Sequence, residues 1–214
     1  GPHHYKKHVM QPDFAITLAD QTEIDAVFFN IGIAEHYAPK SPIIKLTSGS
    51  DGLEFNHPIA KICSVERALN ANAQAVSISL QDQSNEISSL ETSSELIDEA
   101  KSYGIPVILH ATPKKHGSDE GMMHSARLAL ELGADEVVLK YNFNPQTFKD
   151  VVSVAGKCKV IIDMDHVVNT ESDEIVIMRC KELIEQGVFG FSFGTSLLNH
   201  PNPVRLARRL RMNF

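Results

Sequence analysis

Residues 131–148, ELGADEVVLKYNFNPQTF, decide the fold of this chain. The stretch predicts the end of a helix, a turn, a buried strand, a polar loop and the start of the next helix. Gly133 should end the first helix, because glycine adopts the left-handed backbone conformation without steric cost. The apolar run 137–139 is typical of a parallel strand that is covered on both faces. This strand ends on Lys140, and the carboxyl ends of parallel strands carry the chemistry of α/β proteins.

The same alternation of strand and helix recurs along the whole chain. Strands are predicted at 25–30, 43–47, 75–80, 106–111, 137–140, 159–165 and 188–194. Helices are predicted at 13–23, from Ser64, from Ser93 to near Gly104, at 122–132, 146–155 and 172–186, and from Pro203. The Ser-rich segment 84–94 is interpreted as a flexible loop.

The repeat of roughly 27–30 residues per strand and helix favours an α/β fold of the (β/α)8 TIM-barrel type. An open flavodoxin-like sheet is less favoured, because it needs only about five strands. No convincing strand precedes residue 13. We therefore expect one TIM-barrel domain, residues 1–214, that lacks or alters the first strand.

Composition excludes several classes of function. The chain has 214 residues, a formal net charge of −7 and a pI near 5.8, which argues against a nucleic-acid-binding protein. No apolar run approaches the ~20 residues of a membrane span, and no secretory signal opens the chain. Its three cysteines have no metal-binding spacing and fit a reducing, cytoplasmic location. Histidines at positions 3, 4 and 8 form only a weak metal motif, because terminal histidines usually lack groups that fix their geometry.

Seven short motifs resemble one family. They are GIAEHY (32–37), IIKL (43–46), CSVERAL (63–69), GIPV (104–107), ALELGAD (129–135), KYNFNPQTF (140–148) and HPNP (200–203). Together they resemble the archaeal-type class I fructose-bisphosphate aldolases and their relatives, the autoinducer-2 thiolase and the dideoxyheptulosonate synthases. The resemblance implies a barrel that forms a Schiff base with a ketose phosphate, a sugar-like carbonyl ligand, and uses no cofactor.

The residues that the family uses for covalent chemistry are replaced here. The family's Schiff-base lysine aligns with Val138, and Lys140 matches a second lysine of some members. Residues i and i+2 of a strand face the same side, so Lys140 should point into the barrel ~6–7 Å nearer its mouth. The family's acid/base tyrosine aligns with Thr112 and a neighbouring tryptophan with His110, while Lys45 matches a family lysine. The family's first strand, which carries a catalytic aspartate, is the strand that is not predicted.

The residues that the family uses to hold a phosphate are replaced as well. A Gly-Gly pair after one strand becomes Met164-Asp165, and a Gly-Arg pair after the next becomes Gly194-Thr195. A carboxylate beside a phosphate repels it by ~1–4 kcal/mol per charge at ~4 Å. Loss of the arginine removes a bidentate phosphate partner. Cleavage of fructose bisphosphate is therefore not expected.

Three hypotheses follow. The first is a degenerate aldolase barrel that serves ligand binding or assembly, with a homo-oligomer or assembly partner at its exposed sheet edges. The second is an active Schiff-base lyase that uses Lys140. The third is a metal site formed by His110, Asp163, Asp165 and His166, in which Asp163 and Asp165 share one face of a strand.

The candidate catalytic residues are Lys140, Lys45 and His110, and the candidate substrate-binding residues are Thr112, Asp163, Asp165, Gly194 and Thr195. Arginines at 205, 208, 209 and 211 form a basic stripe that is either solvated or a surface for an acidic partner.

Overall fold

The computed structural model describes residues 11–47, 59–81, 86–113 and 118–214. The histidines at positions 3, 4 and 8 and the first two residues of the segment 84–94 lie outside these ranges. Within them, no helix is both long and apolar enough to cross a membrane.

Seven parallel strands form one sheet in the order of the chain, β1-β2-β3-β4-β5-β6-β7. They are β1 (Val27–Phe29), β2 (Pro42–Lys45), β3 (Ala75–Gln81), β4 (Val107–Thr112), β5 (Glu136–Lys140), β6 (Lys159–Asp163) and β7 (Gly190–Ser192). Each strand pairs with the next, and in the described residues β1 and β7 each pair with a single strand. All seven strands that the sequence predicts are therefore present, and neither edge of the sheet pairs with a further strand of the described chain.

Ten helices connect or flank these strands in the described ranges. They are α1 (Pro12–Thr22), α2 (Ile31–Tyr37), α3 (Val65–Asn70), α4 (Glu86–Ser102), α5 (Asp119–Leu132), α6 (Thr147–Ala155), α7 (Asp165–Thr170), α8 (Asp173–Glu185), α9 (Gly194–Asn199) and α10 (Pro203–Arg211). Local signals set several of their ends. The Ser64 hydroxyl accepts a hydrogen bond from the Arg67 amide at the start of α3, and Gly133 ends α5 with φ +88°.

Three predicted boundaries are wrong. The helix expected from Ser93 begins at Glu86, so most of the segment 84–94 is helical, and Ser93 is buried with its hydroxyl donating to the Ser79 carbonyl. The strand expected to reach Asp165 ends at Asp163, and the strand expected to reach Gly194 ends at Ser192. In both cases a short helix, α7 or α9, starts directly after the strand.

Apolar side chains pack on both faces of the sheet. The larger cluster lies between the sheet and the helices and includes the fully buried Leu139, Phe148 and Met164. A smaller cluster lies on the opposite face and comprises Ile43, Ala75, Ile108 and Val138. Strand residues therefore alternate between the helix layer and the inner face, as predicted for a strand covered on both sides.

The arginines of α10 hold the end of the described chain against its beginning. The Arg208 guanidinium donates to the Gln21 carbonyl at 3.2 Å, and Arg211 lies 3.2 Å from the Asp25 carboxylate. Arg209 bridges Asp173 at 3.2 Å and Glu174 at 3.0 Å. Three of the four arginines therefore have partners inside the chain, and the interpretation of the stripe as a surface for an acidic partner stays a prediction.

Candidate active site

The side chains of the inner face meet at the carboxyl end of the sheet. Register places His110 beside Val138, and Lys140 beside Asp163 on the neighbouring strand. Asp163 in turn lies beside Ser192 of β7. Lys140, Asp163 and Ser192 therefore form one row across three strands, at the end of the sheet where the loops begin.

Val138 lies in an apolar environment one layer below this row. Its side chain is 5% exposed and belongs to the inner cluster with Ile43, Ala75 and Ile108. Beside this cluster the Phe28 ring meets the His110 ring edge to face, with centroids 4.9 Å apart. The position that the resemblance assigns to a Schiff-base lysine is thus filled by a buried hydrocarbon side chain.

Lys140 is exposed at the end of β5. It follows Val138 by two residues and so projects from the same face of the strand, as expected. The amide of the next residue, Tyr141, donates to the Asp163 carbonyl at 3.1 Å and holds the two strand ends together. Lys140 therefore presents a cation at the mouth of the sheet, beside a carboxylate.

Asp163 is half-buried, and its carboxylate accepts a hydrogen bond from the Asp165 amide at 2.9 Å. Burial raises the pKa of Asp163 above its ordinary value, because desolvation disfavours the charged form. The Asp165 charge raises this pKa further, whereas the amide hydrogen bond and the Lys140 charge lower it. The net direction is upward, so this carboxyl group holds its proton more strongly than an exposed aspartate.

Asp165 does not continue the strand. It is the first residue of α7, and its Oδ1 accepts a hydrogen bond from the Ser196 amide of α9 at 2.7 Å. The backbone of Gly194 lies against the same carboxylate, since a Cβ at this position would lie 2.7 Å from the Asp165 Cγ. The prediction that Asp163 and Asp165 share one face of a strand is wrong, because the chain turns into a helix between them.

His166 packs beside the corner where Asp165, at the start of α7, meets α9. Its ring meets the Phe143 ring edge to face with centroids 4.9 Å apart, and both ring nitrogens are buried without a hydrogen bond of ordinary geometry in the described chain. Burial lowers the pKa of His166, and the Lys140 charge lowers it further, while the Asp165 charge and the Tyr141 backbone favour the charged form. The imidazole is therefore neutral near pH 7.

The other predicted residues lie apart from this corner. Lys45 and Thr112 are half-buried at the ends of β2 and β4, and His110 lies on β4 two residues before Thr112. Thr195 is exposed in the first turn of α9. The structure thus gathers Lys140, Asp163, Asp165, His166 and Gly194. His110 and Thr112 lie on β4, the strand that pairs with β5, whereas Lys45 lies on β2, two strands beyond β4. The assignment of all of them to a site stays a prediction.

Ser196 makes two hydrogen bonds at the start of α9 that no sequence signal predicts. Ser196 supplies a backbone amide to Asp165, and its hydroxyl accepts a hydrogen bond from the Asn169 side chain. No sequence motif marks a backbone donor whose partner lies 31 positions away.

The proposed metal site does not form. In the ranges that the structure describes, no three histidine, cysteine, aspartate or glutamate side chains converge as ligands for a metal ion. Asp165 is turned toward α9, and His110 lies on a strand that is not adjacent to β6.

Comparison with known proteins identifies relatives that match nearly the whole of this chain. The family described as "DeoC/LacD family aldolase" matches residues 6–179. A class I fructose-bisphosphate aldolase of Thermoproteus tenax is 30% identical over 207 residues, which cover 93% of this chain and 78% of that protein. A 2-amino-3,7-dideoxy-D-threo-hept-6-ulosonate synthase of Archaeoglobus fulgidus is 30% identical over 205 residues, covering 90% and 74% of the two chains.

The fold matches solved aldolases equally well. An archaeal fructose-1,6-bisphosphate aldolase, with its catalytic lysine covalently bound to the carbinolamine intermediate, superposes with a TM-score of 0.87 at 26% identity. The superposition covers 96% of this chain and 84% of that one. These matches confirm the family resemblance and the TIM-barrel-like α/β fold that were inferred from the sequence.

Proposed function

The chain belongs to the DeoC/LacD family of aldolases, and on this premise we propose that it is a divergent barrel that binds a sugar-like carbonyl compound without cleaving fructose 1,6-bisphosphate. The observation that carries this proposal is the burial of Val138 in the inner apolar cluster. A Schiff-base aldolase needs a primary amine that reaches the carbonyl carbon of its substrate. A valine side chain has no nucleophile, so the chemistry cannot proceed from this position.

Two further replacements support the loss of fructose-bisphosphate cleavage. Thr112 ends β4 where the resemblance places the tyrosine acid/base. An aliphatic hydroxyl exchanges its proton poorly near neutral pH, whereas general acids and bases work best with a pKa near the working pH. After β6, two strands along the sheet from β4, the Asp165 carboxylate is hydrogen-bonded to α9, close to where the resemblance places a phosphate.

Lys140 supports a second candidate function, an active lyase with a relocated amine. Lys140 is exposed at the mouth and lies beside Asp163, whose raised pKa favours the protonated acid. The amine would attack a ligand carbonyl to give a carbinolamine, which would lose water to give an imine. Asp163 could protonate the departing hydroxyl group.

Among the residues that the structure describes, no strand pairs with the outer edge of β1 or β7, and this supports a role in assembly, with a second copy or another protein at the edge. Exposed strand edges favour pairing with another chain. A monodisperse monomer in size-exclusion chromatography with light scattering would contradict this role.

One experiment separates binding from covalent chemistry. The protein is incubated with dihydroxyacetone, dihydroxyacetone phosphate and fructose 1,6-bisphosphate in the presence of borohydride, and the intact mass is measured. An imine at Lys140, reduced by hydride, would add the mass of the ligand less one oxygen atom. The Lys140→Ala variant is the test, and Lys45→Ala is a matched control because Lys45 is also a strand-end lysine of the mouth.

The main proposal expects no adduct and no cleavage of fructose 1,6-bisphosphate, together with saturable binding of a carbonyl ligand by titration calorimetry. An adduct that disappears only in Lys140→Ala would establish the second candidate. Cleavage of fructose 1,6-bisphosphate at the usual enzymatic kcat of ~1–10³ per second would refute the main proposal.

A further inference from the structure

The short helix α9 begins against a carboxylate of its own chain. The Ser196 amide, the third of the helix, donates to the Asp165 Oδ1 at 2.7 Å. Asn169 reinforces the contact by donating to the Ser196 hydroxyl, which ties α7 to α9. The first amides of a helix are normally left for a capping group or a ligand, and here a side chain of the barrel takes one of them.

Gly194 is what lets this carboxylate approach. Its φ of +51° lies in the left-handed region that favours glycine, and a Cβ would lie 2.7 Å from the Asp165 Cγ and 3.0 Å from its Cβ. A side chain at position 194 would displace Asp165. The sequence and the backbone conformation therefore agree in placing a negative charge at the start of α9.

The location of this charge bears on what the barrel can bind. In TIM barrels the loops after the last strands and the start of a short extra helix frequently hold the phosphate of a substrate. Here the corresponding corner presents Asp165, with Asp163 directly beside it on β6. The segment 192–199, SFGTSLLN, contributes no lysine or arginine, and the cation that acts on Asp163 is Lys140 of the neighbouring strand β5.

Resting on the proposed function, we propose that Asp165 is a specificity-determining residue that excludes phosphate, so that the barrel selects a neutral hydroxylated carbonyl compound over its phosphate ester. A carboxylate accepts hydrogen bonds and donates none, so it can pair with a sugar hydroxyl but not with a phosphate oxygen. The exclusion is electrostatic and does not require that the ligand be covalently bound.

The test compares two ligands that differ only in the phosphate, dihydroxyacetone and dihydroxyacetone phosphate. Affinities for both are measured by titration calorimetry with the wild type, Asp165→Asn and Asp98→Asn. Asparagine keeps the shape and the oxygen that accepts from the Ser196 amide but removes the charge. Asp98 is an exposed aspartate of α4 and serves as the matched control.

We expect the wild type to bind dihydroxyacetone at least about 10-fold more tightly than its phosphate, and Asp165→Asn to shift this ratio toward the phosphate by about 10-fold or more. Asp98→Asn should leave the ratio unchanged. Tighter binding of the phosphate by the wild type, equal ratios in the wild type and Asp165→Asn, or no binding of either ligand by both proteins would overturn the inference. Fructose 1,6-bisphosphate cleavage, measured separately, tests the proposed function, so the two failures are distinguishable.

Discussion

Replacing Gly194 with alanine should destabilise the protein through one identifiable contact. The residue has φ +51°, and a left-handed conformation costs a non-glycine residue roughly 1–2 kcal/mol. The new Cβ would lie 2.7 Å from the Asp165 Cγ, so the carboxylate must move and release the Ser196 amide. A hydrogen bond to a charged group contributes about 1.5–3 kcal/mol, and the two losses together predict a cost of about 2.5–5 kcal/mol.

A double-mutant cycle isolates the contact. In an Asp165→Ala background the carboxylate is absent, and Gly194→Ala should cost only the roughly 1–2 kcal/mol of backbone strain. The free energies of unfolding of the four proteins are measured by urea denaturation followed by circular dichroism. The coupling between the two positions should be about 1.5–3 kcal/mol, whereas independent sites add to within about 0.5 kcal/mol.

Gly32→Ala is the matched control for the glycine substitution. Gly32 lies inside α2, its φ is not positive, and a Cβ there would have no atom within 4 Å. Alanine is favoured over glycine in a helix, so this variant should be more stable by about 0.5–1 kcal/mol. An equal cost of Gly194→Ala in both backgrounds would refute the placement of Asp165 against α9.

Three further predictions test the inner face and the ends of the chain. Val138→Ala should lower the free energy of unfolding by about 2 kcal/mol in urea denaturation, because it removes buried methyl groups from a closed apolar layer. Asp163→Asn should gain stability relative to wild type as the pH rises from 4 to 7. The reason is that the pKa of Asp163 is raised in the folded state, so the wild type loses stability as the pH rises through that pKa. A difference in the free energy of unfolding between the two proteins that shrinks with rising pH would contradict this. Arg209→Ala should cost about 1–2 kcal/mol, since it breaks a partly buried bridge to Asp173, whereas Arg127→Ala breaks an exposed pair and should cost about 0.3–0.5 kcal/mol.

Local chemistry explains what the sequence could predict. Gly133 ends α5, Ser64 begins α3, and the apolar runs mark all seven strands, because each signal depends on a few adjacent residues. The start of α4 was missed because its first turns are rich in serine, a residue that favours turns and caps. Ser93 is helical nevertheless, since its hydroxyl is satisfied by the Ser79 carbonyl and Leu96 and Ile97 are buried in the core.

Distant contacts explain what the sequence could not predict. Whether the chain continues as a strand to Asp165 or turns into a helix after Asp163 depends on a partner for the Asp165 carboxylate. That partner is the amide of Ser196, 31 positions later and two helices further along the chain. A spacing of two residues between aspartates predicts a shared face only while the strand lasts.

The inner face of β5 separates two properties that a Schiff-base lysine must combine. A lysine becomes a nucleophile near neutral pH when burial or a neighbouring cation disfavours its charge. Position 138 has the burial but carries a valine, and position 140 has the amine but is exposed beside the carboxylate of Asp163. A shift of two residues along a strand preserves the direction of a side chain and changes its surroundings. The sheet fixes the directions of the side chains, whereas the side chains of each layer set reactivity. On this ground we propose that the fold of the family persists here without its usual chemistry.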